Sequence, residues 1–509
     1  MAALEAWCVA TARGLDHAAA CAAAVDALGA DPWAALVAVT PIARARAAWA
    51  SRALALDARL RPVPPGSRVA VAQIAAGEAY PALDPLRRKA QGAFDTPPSL
   101  ARRTVAQALA AAEGPVRCGL DPACGTGAFL LALAEAGVPE IHGQDLDPVA
   151  LAVAGALLPG ARLSLRDGLE GGPAVDLVVG NPPFVPPERQ DRALRRALLE
   201  RFPWLSGRFD LAVPFAAAAA ERVRPGGGLG LLLPAPLLVQ PYGRPLRERW
   251  LRRHLVTALP APERFPGASV DVVAIALRID AGPGPVAPHG VPARELLALP
   301  AAPLCAFLRP GDGALAARVH AASVPLGSLC EVDTGVVVHG EGHRREALLR
   351  AEPGPGCVPY ADAADLVAGR RRWLALDPAR MHRAKRPALF AAPKLLVPRV
   401  VGMRSLRCFL DEEGLWVGHT VNVLQPLHRQ PVPLAWLQAL LQSPLTRGLL
   451  RIERGARMDV YPRDLRELPV PRVWLTEAEV GAAEAWGLSV EERARLEAVG
   501  WAETRGQHE

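Results

Sequence analysis

The chain has 509 residues, 51% of them apolar, so two or three cores are expected and global disorder is excluded. A net charge of +7 and a pI near 9.2 are compatible with a polyanionic partner without requiring one, and arginine carries nearly all of the positive charge because the only lysines are Lys89, Lys385 and Lys394. The eight cysteines form no C-x-x-C pair, which argues against a zinc ribbon or disulfide scaffold, and no signal peptide or membrane span is read.

In chain order, residues 1–60 are alanine-rich and read as helices, with a break at RPVPPGSR (61–68). From about 85 to 280, strands alternate with helices. VRCGL (116–120) reads as a strand and AFLLALAEAG (128–137) as a helix closed by Gly137. EIHGQ (140–144) is a second strand, DPVALAVAGALL a second helix, and RLSL, VDLVVG (175–180) and GLGLLL (228–233) are further strands. That alternation predicts a doubly wound, mostly parallel α/β sheet. Loop-like text fills 281–312, a different rhythm runs from about 320 to 475, and a charged helix, SVEERARLEAVG (489–500), follows.

LDPACGTGAFLLAL (120–133) reads as strand, glycine turn and helix. Asp121 ends the strand, and Gly125 and Gly127 let a ligand approach the backbone at a helix N-terminus. Asp145, at the tip of the next strand, can accept both hydroxyls of a ribose. Asp167 ends the third strand and suits an adenine amino group. Gly-x-Gly alone is usually an ordinary tight turn, but three strand-end acids in one sheet favour a nucleoside ligand. A dinucleotide fits less well, because Leu130 stands where a third glycine would fall. Acidic strand ends also suit a sulfonium cation better than a pyrophosphate.

The segment VVGNPPFVPP (178–187) places Asn181 directly after a buried strand, at the sheet's carboxyl edge. The Asn181 side-chain oxygen and the Pro182 carbonyl can accept the two N–H groups of an exocyclic amine and free its lone pair for attack. Pro182 and Pro183 have fixed φ, so the accepting carbonyl is held still. Phe184 offers a face to a planar base, worth roughly 1–3 kcal/mol. Catalysis of this kind is positioning and electrostatics, with no acid of shifted pKa required.

These residues resemble the gamma-class adenine-N6 DNA methyltransferases of restriction–modification systems, the Taq type. GAFDTPPSLARRTV (92–105) looks like their motif X, LDPACGTGAF motif I, GQDLDPVAL motif II, RDGL motif III, NPPF motif IV and RFPGASVDVVAIAL (264–277) motif VIII. The resemblance implies a Rossmann-like class I S-adenosylmethionine-dependent methyltransferase domain over 85–300. It implies a helical N-terminal region over 1–84, a C-terminal α+β target-recognition domain over 310–475, and a helical tail over 476–509. It further implies that Thr96, Asp121, Ala123, Gly125, Gly127, Asp145 and Asp167 contact S-adenosylmethionine. Asn181, Pro182, Pro183 and Phe184 would hold the target adenine, with Phe265 as the second stacking ring. Gly168 stands where the family often has a bulkier residue covering the cofactor adenine.

The implied partner is double-stranded DNA, with a cognate restriction endonuclease encoded separately and a cytoplasmic, prokaryotic location. No metal is expected. Between Arg370 and Arg407 there are eleven basic residues and one acid, Asp377, interleaved with Trp373 and Phe390. Arg399, Arg404 and Arg407 are the candidate phosphate contacts. A fused metal-dependent nuclease is not expected, because no lysine has an acid two residues before it. The competing readings are an RNA or protein-glutamine N-methyltransferase, and a non-catalytic DNA-binding homologue.

Overall fold

A computed structural model describes residues 96–264, 270–338, 348–377, 381, 385–400, 406–427, 432–455, 459–476 and 480–501. The helices expected over 1–84, together with Phe265 and Arg404, lie outside the described residues. The chain divides into two units, Met1–Leu297 with Ala301–Pro310, and Ala298–Pro300 with Gly311–Glu509.

The first unit is built on seven strands: β1 (Cys118–Asp121), β2 (Glu140–Asp145), β3 (Arg162–Leu165), β4 (Val175–Gly180), β5 (Val223–Pro234), β6 (Leu255–Ala258) and β7 (Val272–Arg278). Their order is β3-β2-β1-β4-β5-β7-β6. Strands β1 to β5 are mutually parallel, whereas β7 runs antiparallel to both β5 and β6. The sheet is therefore mixed. Among the described residues the β6–β7 connection carries no helix that could serve as the crossover a parallel β7 would need. Strand order reverses between β1 and β4. A ligand crevice of an open α/β sheet lies outside the carboxyl ends at such a switch point.

Its described helices of eight or more residues are α1 (Pro98–Ala111), α2 (Ala128–Glu135), α3 (Pro148–Leu157), α4 (Arg192–Arg201), α5 (Ala212–Glu221) and α6 (Arg244–Arg253). The central strand β4 is a continuous apolar run, and Leu177, Val178 and Val179 are all fully buried. Such a run is what a parallel strand covered on both faces requires. Residues Ala212 to Ala220 of α5 are all buried, and their mostly alanine side chains let that helix lie close to the sheet. Helix α1 comes closer still. A Cβ at Gly228 would strike the Ala108 carbonyl, and one at Gly230 would crowd Ala108 and the Thr104 carbonyl. Those glycines of β5 mark a close backbone approach rather than a weak strand.

The second unit holds two four-stranded sheets. One aligns Cys330–Thr334, Val421–Pro426, Lys394–Pro398 and Phe409–Asp411, all antiparallel. The other aligns Leu349–Arg350, Arg372–Ala375, Cys357–Ala361 and Trp416–Val417. Val336, Tyr360, Leu396, Val417 and Val421 belong to one apolar core there, in which Phe390 stacks on Trp416 with centroids 4.1 Å apart. The longer described helices of the unit are Asp312–Ala321, Leu434–Gln442, Pro444–Arg454 and Val490–Trp501. No helix among the described residues is long and apolar enough to cross a membrane.

Candidate active site

The expected residues gather along the carboxyl edge of β1, β2 and β4. Asp121 is the last residue of β1, Asp145 the last of β2, and Asn181 follows β4 directly. Asp167 lies two residues beyond β3 and accepts a hydrogen bond from the Leu169 amide at 2.9 Å. Gly125 and Gly127 take positive φ values of 53° and 102°, which L side chains rarely adopt. A Cβ at Gly125 would meet nothing within 4 Å, so the turn faces open space. Gly127 opens α2.

The turn is held by the acids themselves. Asp121 Oδ1 accepts from the Ala123 amide at 3.0 Å. Asp145 Oδ2 accepts from the Gly125 amide at 2.7 Å, and its Oδ1 from the Asp147 amide at 2.9 Å. Asp145 therefore ties the end of β2 to the glycine turn after β1. Asp121 is 1% exposed, and its Oδ2 has no hydrogen-bond partner among the described residues. Burial pushes its carboxyl up to about 8, with the Asp145 charge adding to the rise. A buried acid in that state is poised to take a cationic neighbour.

Gly180 joins this pocket to the NPPF segment. A Cβ there would come within 2.8 Å of Asp121 Oδ1, so only glycine lets the ends of β1 and β4 sit this close. Asn181 Nδ2 donates to Thr96 Oγ1 at 3.2 Å. That bond takes one N–H of the amide and leaves Oδ1 as the acceptor on offer. Asn181 Oδ1 is buried and has no partner among the described residues. Leaving such a group unmatched costs about 1–3 kcal/mol, and a ligand N–H would recover it. Pro182 and Phe184 are buried, and Pro183 is half-buried.

Three things were not visible in the sequence. The Thr96–Asn181 bond spans 85 residues, and no local spacing signals it. Gly168 is demanded by packing, since a Cβ there would run into the Pro122 carbonyl and the Phe215 ring. No larger residue fits at 168 in this backbone. Leu146 between Asp145 and Asp147 was also passed over. It is 53% exposed, an apolar face beside the acid pair.

The basic stretch of the second unit needs a correction. Its charges are largely matched by acids that lie outside it. Arg370 and Arg372 pair with Asp365, Arg371 with Glu413, Lys385 with Asp333 and Arg386 with Glu331. Lys394 is fully buried against Asp411, and Phe390 is core. A count along the chain sees none of these partners. Arg399 lies 4.2 Å from the Tyr461 ring centroid and 3.9 Å from Asp459, while Arg407 is exposed.

Residues 170–259, which contain β4, the NPPF segment and β5, match the Eco57I restriction-modification methylase family. The chain is 26% identical over 363 residues to the type II methyltransferase M.TthHB8I of Thermus thermophilus, a match covering 66% of this chain and 81% of that protein. Among solved structures it is similar to the type IIL restriction-modification enzyme MmeI in complex with DNA, with a TM-score of 0.49 and 12% identity over 79% of this chain and 71% of that one. It is also similar to the type IIG restriction endonuclease BpuSI, with a TM-score of 0.37 and 14% identity over 84% and 67%. The two structural likenesses are too distant to bear on activity, and the sequence matches decide the assignment. By these sequence matches the chain is a DNA methyltransferase of a restriction-modification system, with residues 170–259 similar to the Eco57I methylases.

Proposed function

We propose that the enzyme transfers a methyl group from S-adenosylmethionine to the N6 amine of an adenine in double-stranded DNA, at a specific sequence. The observation that carries this reading is Asn181, whose amide nitrogen is anchored on Thr96 while its buried Oδ1 waits for a donor, beside the acidic turn of Asp121 and Asp145. The donor set fits the cofactor. Asp121 suits the cofactor's ammonium, Asp145 the ribose hydroxyls, Leu146 one face of the adenine, and Asp167 its amino group. When bound, S-adenosylmethionine supplies an electrophilic methyl group on a sulfonium.

The remaining work falls to the chain's own groups. Asn181 Oδ1 and the Pro182 carbonyl accept the two hydrogens of the adenine amine, which draws the nitrogen toward tetrahedral geometry and exposes its lone pair. No proton need leave before attack, so positioning supplies the catalysis. The target adenine must leave the duplex to reach this edge, at a cost of a few kcal/mol. Phe184 offsets that cost by stacking. It is 8% exposed, so its ring must turn outward to meet the base. Phe265 is the proposed second ring. The second unit is the proposed target-recognition domain, with Arg399, Arg404 and Arg407 on phosphates.

The test is incubation with tritiated S-adenosylmethionine and, in parallel, unmethylated DNA, RNA or a glutamine-bearing peptide. Label should enter DNA alone and appear as N6-methyladenine on hydrolysis. Asn181→Ala should keep cofactor affinity and cut transfer by roughly 10²–10³-fold, as loss of a preorganised polar group does. Label entering RNA or peptide, or near-normal transfer by that variant, would overturn the reading.

A further inference from the structure

Beyond the NPPF residues themselves, a second set of side chains fixes where that segment ends. Val185 follows Phe184 and is 6% exposed. Its carbonyl accepts from the Gln190 side-chain amide at 2.9 Å and from the Leu211 backbone amide at 3.0 Å. Its amide donates to Asp210 Oδ1 at 3.3 Å. Gln190 Nε2 also donates to the Phe209 carbonyl at 2.7 Å, so one amide group ties Val185 to a segment nineteen residues beyond Gln190. The same Asp210 Oδ1 accepts from the Ala212 amide at 2.9 Å, at the start of α5. Asp210 is half-buried, and its partial burial pushes its carboxyl above the usual range.

The result is a clamp. Both polar groups of Val185 are bound to the mouth of α5, and α5 is itself packed along its length against the sheet. The NPPF segment is thus held at two ends, by β4 before Asn181 and by Gln190 and Asp210 after Phe184. Two rigid prolines between fixed ends leave the Pro182 carbonyl and the Phe184 backbone little freedom. A group misplaced by about 1 Å costs on the order of 10²-fold in rate.

We infer that Gln190 and Asp210 are positioning residues for methyl transfer, acting through Val185 on the amine-accepting segment. The inference rests on the proposed role of Asn181 and its neighbours, and names residues outside that segment. Gln190 is the cleaner probe, because Asp210 also holds the Ala212 amide at the start of α5. A glutamate at 190 keeps the shape but loses both N–H donors. It regains one donor only when protonated, so its effect must vary with pH.

The experiment measures single-turnover transfer of tritiated methyl from saturating S-adenosylmethionine to unmethylated genomic DNA by wild type, Gln190→Ala, Gln190→Glu and Asn181→Ala, with cofactor Kd by calorimetry. Gln190→Ala should lose roughly 10–100-fold in transfer rate, with cofactor Kd within about threefold, since Gln190 is bonded to none of the acids at the glycine turn. For Gln190→Glu the rate relative to wild type should rise as pH falls. A general loss of folding would move cofactor affinity as well and would show no such pH trend. If both Gln190 variants transfer within about threefold of wild type while Asn181→Ala is crippled, the clamp does not position the site and the inference fails. If Asn181→Ala itself transfers normally, the failure lies in the reading of NPPF instead. Should Gln190→Ala not fold, the pH trend of Gln190→Glu decides alone.

Discussion

At the scale of single residues, the site is defined by groups whose bonding is incomplete until a ligand arrives. Asp121 carries a proton below about pH 8 because burial disfavours its charge. A cationic cofactor beside it restores the carboxylate, so binding should release a proton at pH 7. Affinity should then rise with pH and level off above 8. Calorimetric titrations in two buffers of different ionisation heat check this, and equal heats would refute it. The sign for folding is the reverse of the usual carboxylate. Asp121 titrates near 3.8 unfolded and about 8 folded, so between those values the folded chain holds more protons. Without cofactor, stability should fall as pH rises through that window, and Asp121→Asn should flatten the slope. Asp145→Ala should weaken cofactor binding by roughly 1–3 kcal/mol, the worth of a charged hydrogen-bond partner. It should also loosen the glycine turn, since Asp145 holds the Gly125 amide.

At the scale of elements, two close contacts make predictions about stability. Helix Pro444–Arg454 packs on helix Val490–Trp501 through Gly448, where a Cβ would run into the Leu496 carbonyl. Gly448→Ala should force the helices apart and cost about 1–3 kcal/mol in a denaturant titration, the usual cost of overpacking. In the strand pair Lys394–Pro398 and Phe409–Asp411, Lys394 donates to the Phe390 carbonyl at 2.7 Å and pairs with Asp411. Burial pulls the Lys394 ammonium below its ordinary pKa, against the pull of Asp411. Asp411→Ala should cost about 3–5 kcal/mol by stranding that charge, whereas Lys394→Met with Asp411→Leu should recover most of the loss. Secondary structure was largely legible at this scale: β4 spans the residues that the apolar run VDLVVG predicts, and Gly137 takes its positive φ after α2. The sense of β7 was not, because apolar patterning marks a buried strand without giving its direction.

At the scale of the whole molecule, charge has to be read in three dimensions. If the second unit meets DNA phosphates, affinity should fall steeply with salt, and each contact removed should lower the slope of log K against log[salt] by about one. Arg407→Gln should show that decrease. Arg372→Gln should not, because Asp362 and Asp365 already hold its guanidinium. Salt titrations of the two variants beside wild type are the check, and an equal change in both would mean that the ion pairs open on binding.

By itself the sequence determined the α/β rhythm, the acids at or just beyond three strand ends, the glycine turn and the NPPF segment, because each follows from neighbours a few residues apart: apolar runs make buried strands, and glycines make turns. Only the tertiary structure decided that Thr96 anchors Asn181, that Gly180 lets β4 end against Asp121, and that Gln190 and Asp210 grip Val185. It also decided which arginines are already paired. The Thr96–Asn181 and Val185–Asp210 bonds span 85 and 25 positions, Gly180 meets Asp121 across adjacent strands, and Gln190, though five residues from Val185, is also fixed on the Phe209 carbonyl nineteen positions on. Such contacts arise when burial brings polar groups together away from water and each must find a partner, and no pattern along the chain encodes which partner that is.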